Sequence, residues 1–256
     1  MDQRIEHASG ESLAAYWARP ATRGSTPALV LCHDLPTPPR GAVASGLTFP
    51  ELADRVAAQV GWRVLTFNFR GTGGSDGDFS IGAWTEDLRL AIDTVLADPE
   101  VTGVWLLGTG VGGALALSVG VADPRVRGIA ALGVPANLAD WSRDTNRFVR
   151  HCRRMGVFHS EDAPKDLASW SREISSVNAV ASARAFAPRP LLLLHGTDDD
   201  VVSVDDAELL ADAHGSAELR IVENAGRRLR HDPRAVASVL GWLDRQVVEE
   251  TNSSQP

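Results

Sequence analysis

The 256-residue chain is short of several things, and each shortage excludes a class of protein. It has two cysteines, Cys32 and Cys152. Cys32 lies in an apolar run that reads as a buried strand, so a disulfide to Cys152 is not expected and a disulfide-stapled scaffold is excluded. No apolar run approaches the roughly 18 residues of a membrane span, and the opening residues MDQRIEH lack the apolar core of a secretion signal. Positive charge is in deficit: 25 Lys and Arg against 33 Asp and Glu give a net charge of -8. An acidic surface repels the phosphate backbone, so nucleic acid is not an expected partner. A reducing, cytoplasmic setting with no membrane contact fits all three shortages.

What the chain does have is a core. Hydrophobic residues make up 44% and charged residues 23%, enough apolar mass for one large domain spanning residues 1–256. Residues 4–7 and 13–18 flank the turn-like Ser9-Gly10-Glu11-Ser12 and read as a β-hairpin. From residue 28 onward strands and helices alternate. Apolar runs at 28–32, 63–68, 103–107, 126–132, 190–194 and 217–222 read as strands. Helical patterns run over 51–59, 86–96, 113–121, 204–212 and 233–248. Apolar strands separated by helices predict a parallel sheet buried on both faces. Residues 137–187 break the alternation with helical patterns and the aromatics Trp141, Phe148, Phe158 and Trp170. An insertion late in such a sheet is expected over the carboxyl ends of the strands, as a helical cap. The polar residues 251–256 read as a frayed tail.

Gly108-Thr109-Gly110-Val111-Gly112-Gly113 closes a strand and opens a helix. As a dinucleotide fingerprint, Gly108, Gly110 and Gly113 match G-x-G-x-x-G. That motif needs an acid about 20 residues on to hold the ribose, and Ala130-Ala131-Leu132-Gly133-Val134-Pro135 offers none. Two parallel strands also precede it, where the fingerprint belongs on the first. No nucleotide cofactor and no metal site is therefore assigned. As a nucleophile elbow, G-x-S-x-G, the flanking Gly108 and Gly112 match and the central serine is replaced by Gly110.

Four further segments, in order, carry a resemblance to the α/β-hydrolase family. Leu31-Cys32-His33-Asp34-Leu35-Pro36 is similar to the family's His-Gly oxyanion loop, with Asp34 where glycine is usual. Asn68-Phe69-Arg70-Gly71-Thr72-Gly73-Gly74-Ser75 resembles its Arg-Gly-x-Gly-x-Ser loop. His195 to Val202 looks like the loop of the triad acid, at Asp199. Ala225-Gly226-Arg227 resembles the Ala-Gly-His of the base, with Arg227 in the histidine's place. The resemblance implies a doubly wound, mostly parallel eight-stranded sheet with a short helical cap. It also implies an oxyanion hole at the backbone N–H groups of Leu35 and Val111.

The resemblance does not carry the activity over. A triad needs a hydroxyl that attacks and an imidazole that takes its proton. Gly110 has no side chain, and a guanidinium with pKa above about 12 is no base near neutrality. The expectation is a non-hydrolytic protein that binds a small ligand, anionic with an apolar body, or a protein partner. Arg227 is expected to pair with Asp199 across neighbouring loops, and Trp141 and Trp170 to contact the ligand's apolar part. The runs Arg227-Arg228, Arg230 and Arg153-Arg154 read as solvated faces. Two other readings stay open. One is an active hydrolase or lyase of esters or peptides with a relocated nucleophile. Thr109 and Cys32 are then the candidates, and His33, His151, His159 and His231 the available imidazoles. The other is a purely structural subunit.

Overall fold

A computed structural model describes residues 2–38 and 40–253, without side-chain detail at Ser142 and 247–253. Eight strands form one sheet in the order β1-β2-β4-β3-β5-β6-β7-β8. The hairpin β1 (Asp2–Glu6) and β2 (Ser12–Ala18) is antiparallel, and β2 pairs antiparallel with β4 (Arg63–Phe67). The rest is parallel: β3 (Thr26–Cys32), β4, β5 (Val101–Thr109), β6 (Val126–Leu132), β7 (Leu191–Gly196) and β8 (Glu218–Val222).

The two-residue period of a strand divides the core. Ala28, Val30 and Cys32 of β3 join one apolar cluster, and Leu29 and Leu31 the other. In β5 the same split sets Val104 and Leu106 against Trp105 and Leu107. The first cluster is closed by α2 (Ile81–Leu96) and α3 (Gly110–Ala122). The second is closed by Phe49, Leu52 and Val56 of α1 (Phe49–Gln59) and by Ala235, Val239 and Trp242 of α9 (Pro233–Ser253). Strands covered on both faces must be apolar at every position, which is why they were legible as continuous runs. Helix α9 continues to Ser253, past the start of the expected tail at 251; residues 254–256 lie outside the described residues.

The insertion folds as α4 (Ala139–Ser142), α5 (Thr145–Met155), α6 (Leu167–Ser176) and α7 (Ala179–Phe186). Asp144 and Asp166 begin α5 and α6 by accepting backbone N–H bonds from Arg147 and from Ala168 and Ser169. An isolated bridge between Asn137 and Asn178 closes the segment at its base. Helix α7 lies beyond that bridge and packs against α3 and against α8 (Val204–His214) in the body of the domain. Helices α4 and α5 share a cavity with the strand-end residues Thr109, Gly110 and Leu132, and α6 packs against α4 and α2. It is anchored by Trp170, whose indole N–H donates to the Phe79 carbonyl, and by Glu173, which accepts from the Gly82 N–H. Among the described residues no helix is long and apolar enough to cross a membrane.

Candidate functional site

Strand β5 ends at Thr109, and α3 begins at Gly110 with φ +50°. This is the left-handed turn expected of an elbow, held here by a residue for which it is nearly free. Two residues on, Gly112 lets the helix start press against the neighbouring loop: a Cβ there would lie 2.3 Å from the His33 carbonyl oxygen. The first turn of α3 and the residues after β3 are thereby held together.

Asp34 occupies the junction. Its Oδ1 accepts the Leu35 N–H at 2.8 Å and the Val111 N–H at 2.9 Å. These are the two donors that resemblance assigns to oxyanion stabilisation. Its Oδ2 accepts from Arg227 Nε at 3.0 Å and Nη2 at 2.5 Å. Both side chains are mostly buried, so these charge-assisted bonds act with little screening. The carboxylate also fills the space of an elbow side chain: a Cβ on Gly110 would sit 2.1 Å from Asp34 Oδ1. Asp34, Gly110 and Arg227 are thus one fitted unit. The carboxylate fills the space a side chain at position 110 would take, the glycine leaves room for it, and the guanidinium balances its charge.

The expected pairing of Arg227 with Asp199 is not what forms. Asp199 Oδ1 accepts the backbone N–H groups of Val201 and Val202, each at 3.0 Å. Its Oδ2 is buried with no hydrogen-bond partner. The nearest cation-capable group, His195 Nε2, is 3.9 Å away and is bonded to the Val202 carbonyl at 2.9 Å. Arg227 is drawn instead to Asp34, whose carboxylate it meets through two nitrogens. Arg227 Nη1 is left buried and unbonded.

The relocated-nucleophile candidates are poorly equipped. Thr109 Oγ1 is buried without a partner, so no base is in hydrogen-bond contact with it. Cys32 is fully buried, and desolvation pushes its thiol well above the ordinary range, away from the thiolate. Cys152 is pushed up to about 12 by burial. Both cysteines are free. His33 is structural: Nδ1 bonds the Asp34 carbonyl at 2.7 Å, and Nε2 accepts the Phe69 N–H at 3.1 Å. Burial lowers its pKa to about 4, and the backbone bond to Asp34 opposes this only in part.

Above this junction lies a cavity of about 940 Å³, roofed by α4 and α5. Trp141 lines it, together with Leu35 and Phe148. Trp170 does not. It is 3% exposed and packs edge-on against Phe79, 5.9 Å between ring centroids, which makes it an anchor of the cap instead of a ligand contact. His151 reaches the cavity, and His159 and His231 do not. Sequence reasoning missed Asp34 as a functional residue. The available signal was three departures from one motif set whose chemistries complement each other: an added acid, a deleted side chain and an added cation.

Comparison with known proteins agrees with this architecture. The profile of the alpha/beta hydrolase family matches residues 29–239, and the chain belongs to that family. Among solved structures, Est1E from Butyrivibrio proteoclasticus, determined with ferulic acid bound, superposes with a TM-score of 0.75 at 14% identity. That match covers 98% of this chain and 99% of that one. The alpha/beta hydrolase GrgF from Penicillium sp. sh18 gives 0.72 at 18% identity, covering 96% and 98%. The esterase Pf2001 of Pyrococcus furiosus gives 0.68 at 18% identity, covering 96% and 90%. At these identities the likeness is one of fold. Comparison with curated protein sequences finds no match.

Proposed function

We propose that this α/β-hydrolase is a non-hydrolytic member of its family, with a degenerate triad at Gly110, Asp199 and Arg227, that binds a small ligand in the cavity beneath its cap. One observation carries the reading: the Asp34 carboxylate lies on the Leu35 and Val111 N–H groups and is clamped by Arg227. A tetrahedral intermediate needs those donors for its developing charge, and removing one such donor typically costs a factor of 10² to 10³ in rate. Here both are committed to a tethered anion whose effective concentration is on the order of millimolar or more. The nucleophile and base are missing as well, and the orphaned Oδ2 of Asp199 is what a triad acid looks like when no histidine donates to it. The apolar walls at Leu35, Trp141 and Phe148 support a ligand with an apolar body.

The test is reversal. The wild type is expected to hydrolyse p-nitrophenyl butyrate no faster than buffer. The triple substitution Asp34→Gly, Gly110→Ser, Arg227→His frees the hole, installs the nucleophile and places an imidazole beside Asp199. It is expected to gain measurable turnover. Turnover by the wild type that survives Asp34→Asn would contradict the proposal and point to a relocated nucleophile.

A further inference from the structure

The cavity carries a charge opposite to that of the protein. Seven arginines and four aspartates line it, giving it a local charge of about +3 in a chain of net charge -8. Two of the aspartates are already occupied by arginines of the same lining, Asp34 with Arg227 and Asp140 with Arg143 at 2.9 Å. Asp144 is engaged in starting α5. Among the described residues, Arg40, Arg147, Arg154 and Arg228 form no salt bridge.

The arrangement follows from the helix period. Asp144, Arg147, Phe148, His151 and Arg154 recur at spacings of three and four and so share one face of α5, the face that lines the cavity. The same cavity is lined by Arg40 from the loop after β3 and by Arg228 and Arg230 from the loop after β8. Arg230 is fixed: Nε donates to Thr48 Oγ1 at 3.1 Å, and its guanidinium lies 5.3 Å over the Phe49 ring. Burial lowers its pKa, the charges of Arg228 and Arg40 lower it further, and the Asp34 carboxylate opposes them. Arg154 and Arg228 are exposed, as a solvated face implies, and Arg230 is half-buried; what the sequence did not show is that residues so far apart line one cavity. Like charges gathered around one cavity are relieved by an anion bound among them.

We propose that the cavity is a binding site for a phosphorylated small molecule, its phosphate held between the α5 arginines and the Arg40–Arg228–Arg230 wall and its apolar body against Trp141 and Phe148. The proposal rests on the pocket being a binding site, and it relocates the anion from the elbow, where Asp34 already stands, to the arginines above. A phosphate ester carries about -1.5 to -2 charges at neutral pH and offers three acceptor oxygens, which a lone carboxylate does not. A cavity of about 940 Å³ is at the upper end of small-ligand sites, which favours a free metabolite over a bilayer surface.

The experiment is calorimetric titration of the full chain with phenyl phosphate and with benzoate, matched in their ring. Phenyl phosphate is expected to bind at least tenfold tighter, with affinity falling steeply as salt is raised. The double substitution Arg147→Gln, Arg154→Gln is expected to weaken phenyl phosphate tenfold or more and benzoate by less than threefold. Arg153→Gln is the control, because Arg153 sits on the same helix but does not line the cavity, donating instead to the Glu161 and Ala163 carbonyls. All three arginines are at the surface, so a melting curve is expected to show each variant folded. Equal affinity for the two ligands, or equal loss in Arg153→Gln and the double variant, would overturn the assignment while leaving the catalytic reading untouched. Co-sedimentation with phosphatidic acid vesicles would overturn the small-molecule form of it. Release of phenol by the wild type would instead contradict the non-hydrolytic reading.

Discussion

Gly110→Ser puts the fitted unit at the elbow under direct strain. The residue stands at φ +50°, where a non-glycine side chain costs of order 1–3 kcal/mol. Position alone would therefore make the substitution mildly destabilising. The contact adds more: the new Cβ would lie 2.1 Å from Asp34 Oδ1 and 2.2 Å from its Cγ, so the carboxylate must leave. It gives up two backbone N–H donors and two arginine nitrogens. Hydrogen bonds to a charged group contribute about 1.5–3 kcal/mol, and water entering this partly exposed site recovers some of the loss. The expected total is about 3 kcal/mol in urea unfolding at pH 7. For a chain of this size that is a fall in Tm of about 6–12 °C. In an Asp34→Gly background the clash is absent, and Gly110→Ser is expected to cost only about 1 kcal/mol. The double-mutant cycle thus predicts a coupling of about 2 kcal/mol between positions 34 and 110. Equal costs in the two backgrounds would refute the claim that Asp34 fills the elbow.

Other perturbations follow from the same contacts. Arg227→Met removes the clamp and leaves Asp34 without its counter-charge, and is expected to destabilise by about 2–4 kcal/mol in chemical unfolding; a change below about 0.5 would mean the pair is idle. Asp199→Asn, ruinous in a working triad, is expected to leave phenyl phosphate affinity within twofold by calorimetry, because Asp199 does not touch Arg227; a tenfold change would contradict the observed pairing. Acid stability follows His33. Its pKa falls from 6.5 in the unfolded chain to about 4 in the fold, so the unfolded state binds the proton first. Stability is then full above pH 6.5 and declines as pH drops toward 4, by up to about 3 kcal/mol. Burial shifts His151, His214 and His231 in the same direction. Melting curves at pH 7 and pH 5 check this, and a higher Tm at pH 5 would contradict it.

Particular residues show what the sequence could reveal. The strands were readable because both faces of Ala28–Cys32 and its neighbours are covered, which forces apolar residues at every position. The start of α3 was placed at 113, three residues late, because glycines that pack tightly in a helix look like a turn when read alone. Helix α7 was assigned to the cap because its amphipathic pattern says that one face is buried but not against what. The partner of Arg227 was misjudged for a related reason. Asp34 and Asp199 both stand on loops at the carboxyl ends of strands, and 193 residues separate Asp34 from Arg227. Asp34 lies over the elbow where Gly112 packs closely against the His33 carbonyl, and that closeness is a property of the packed backbone. Trp170 was taken for a ligand contact because an aromatic in a cap serves equally well as an anchor.

The most direct test of the central claim is intact-mass analysis after incubation with a fluorophosphonate, run on the wild type beside the Asp34→Gly, Gly110→Ser, Arg227→His variant. The wild type is expected to keep its unmodified mass while the variant gains a single adduct at position 110. A stoichiometric adduct on the wild type, at any residue, would show that the site is not silent and that Asp34 does not close it.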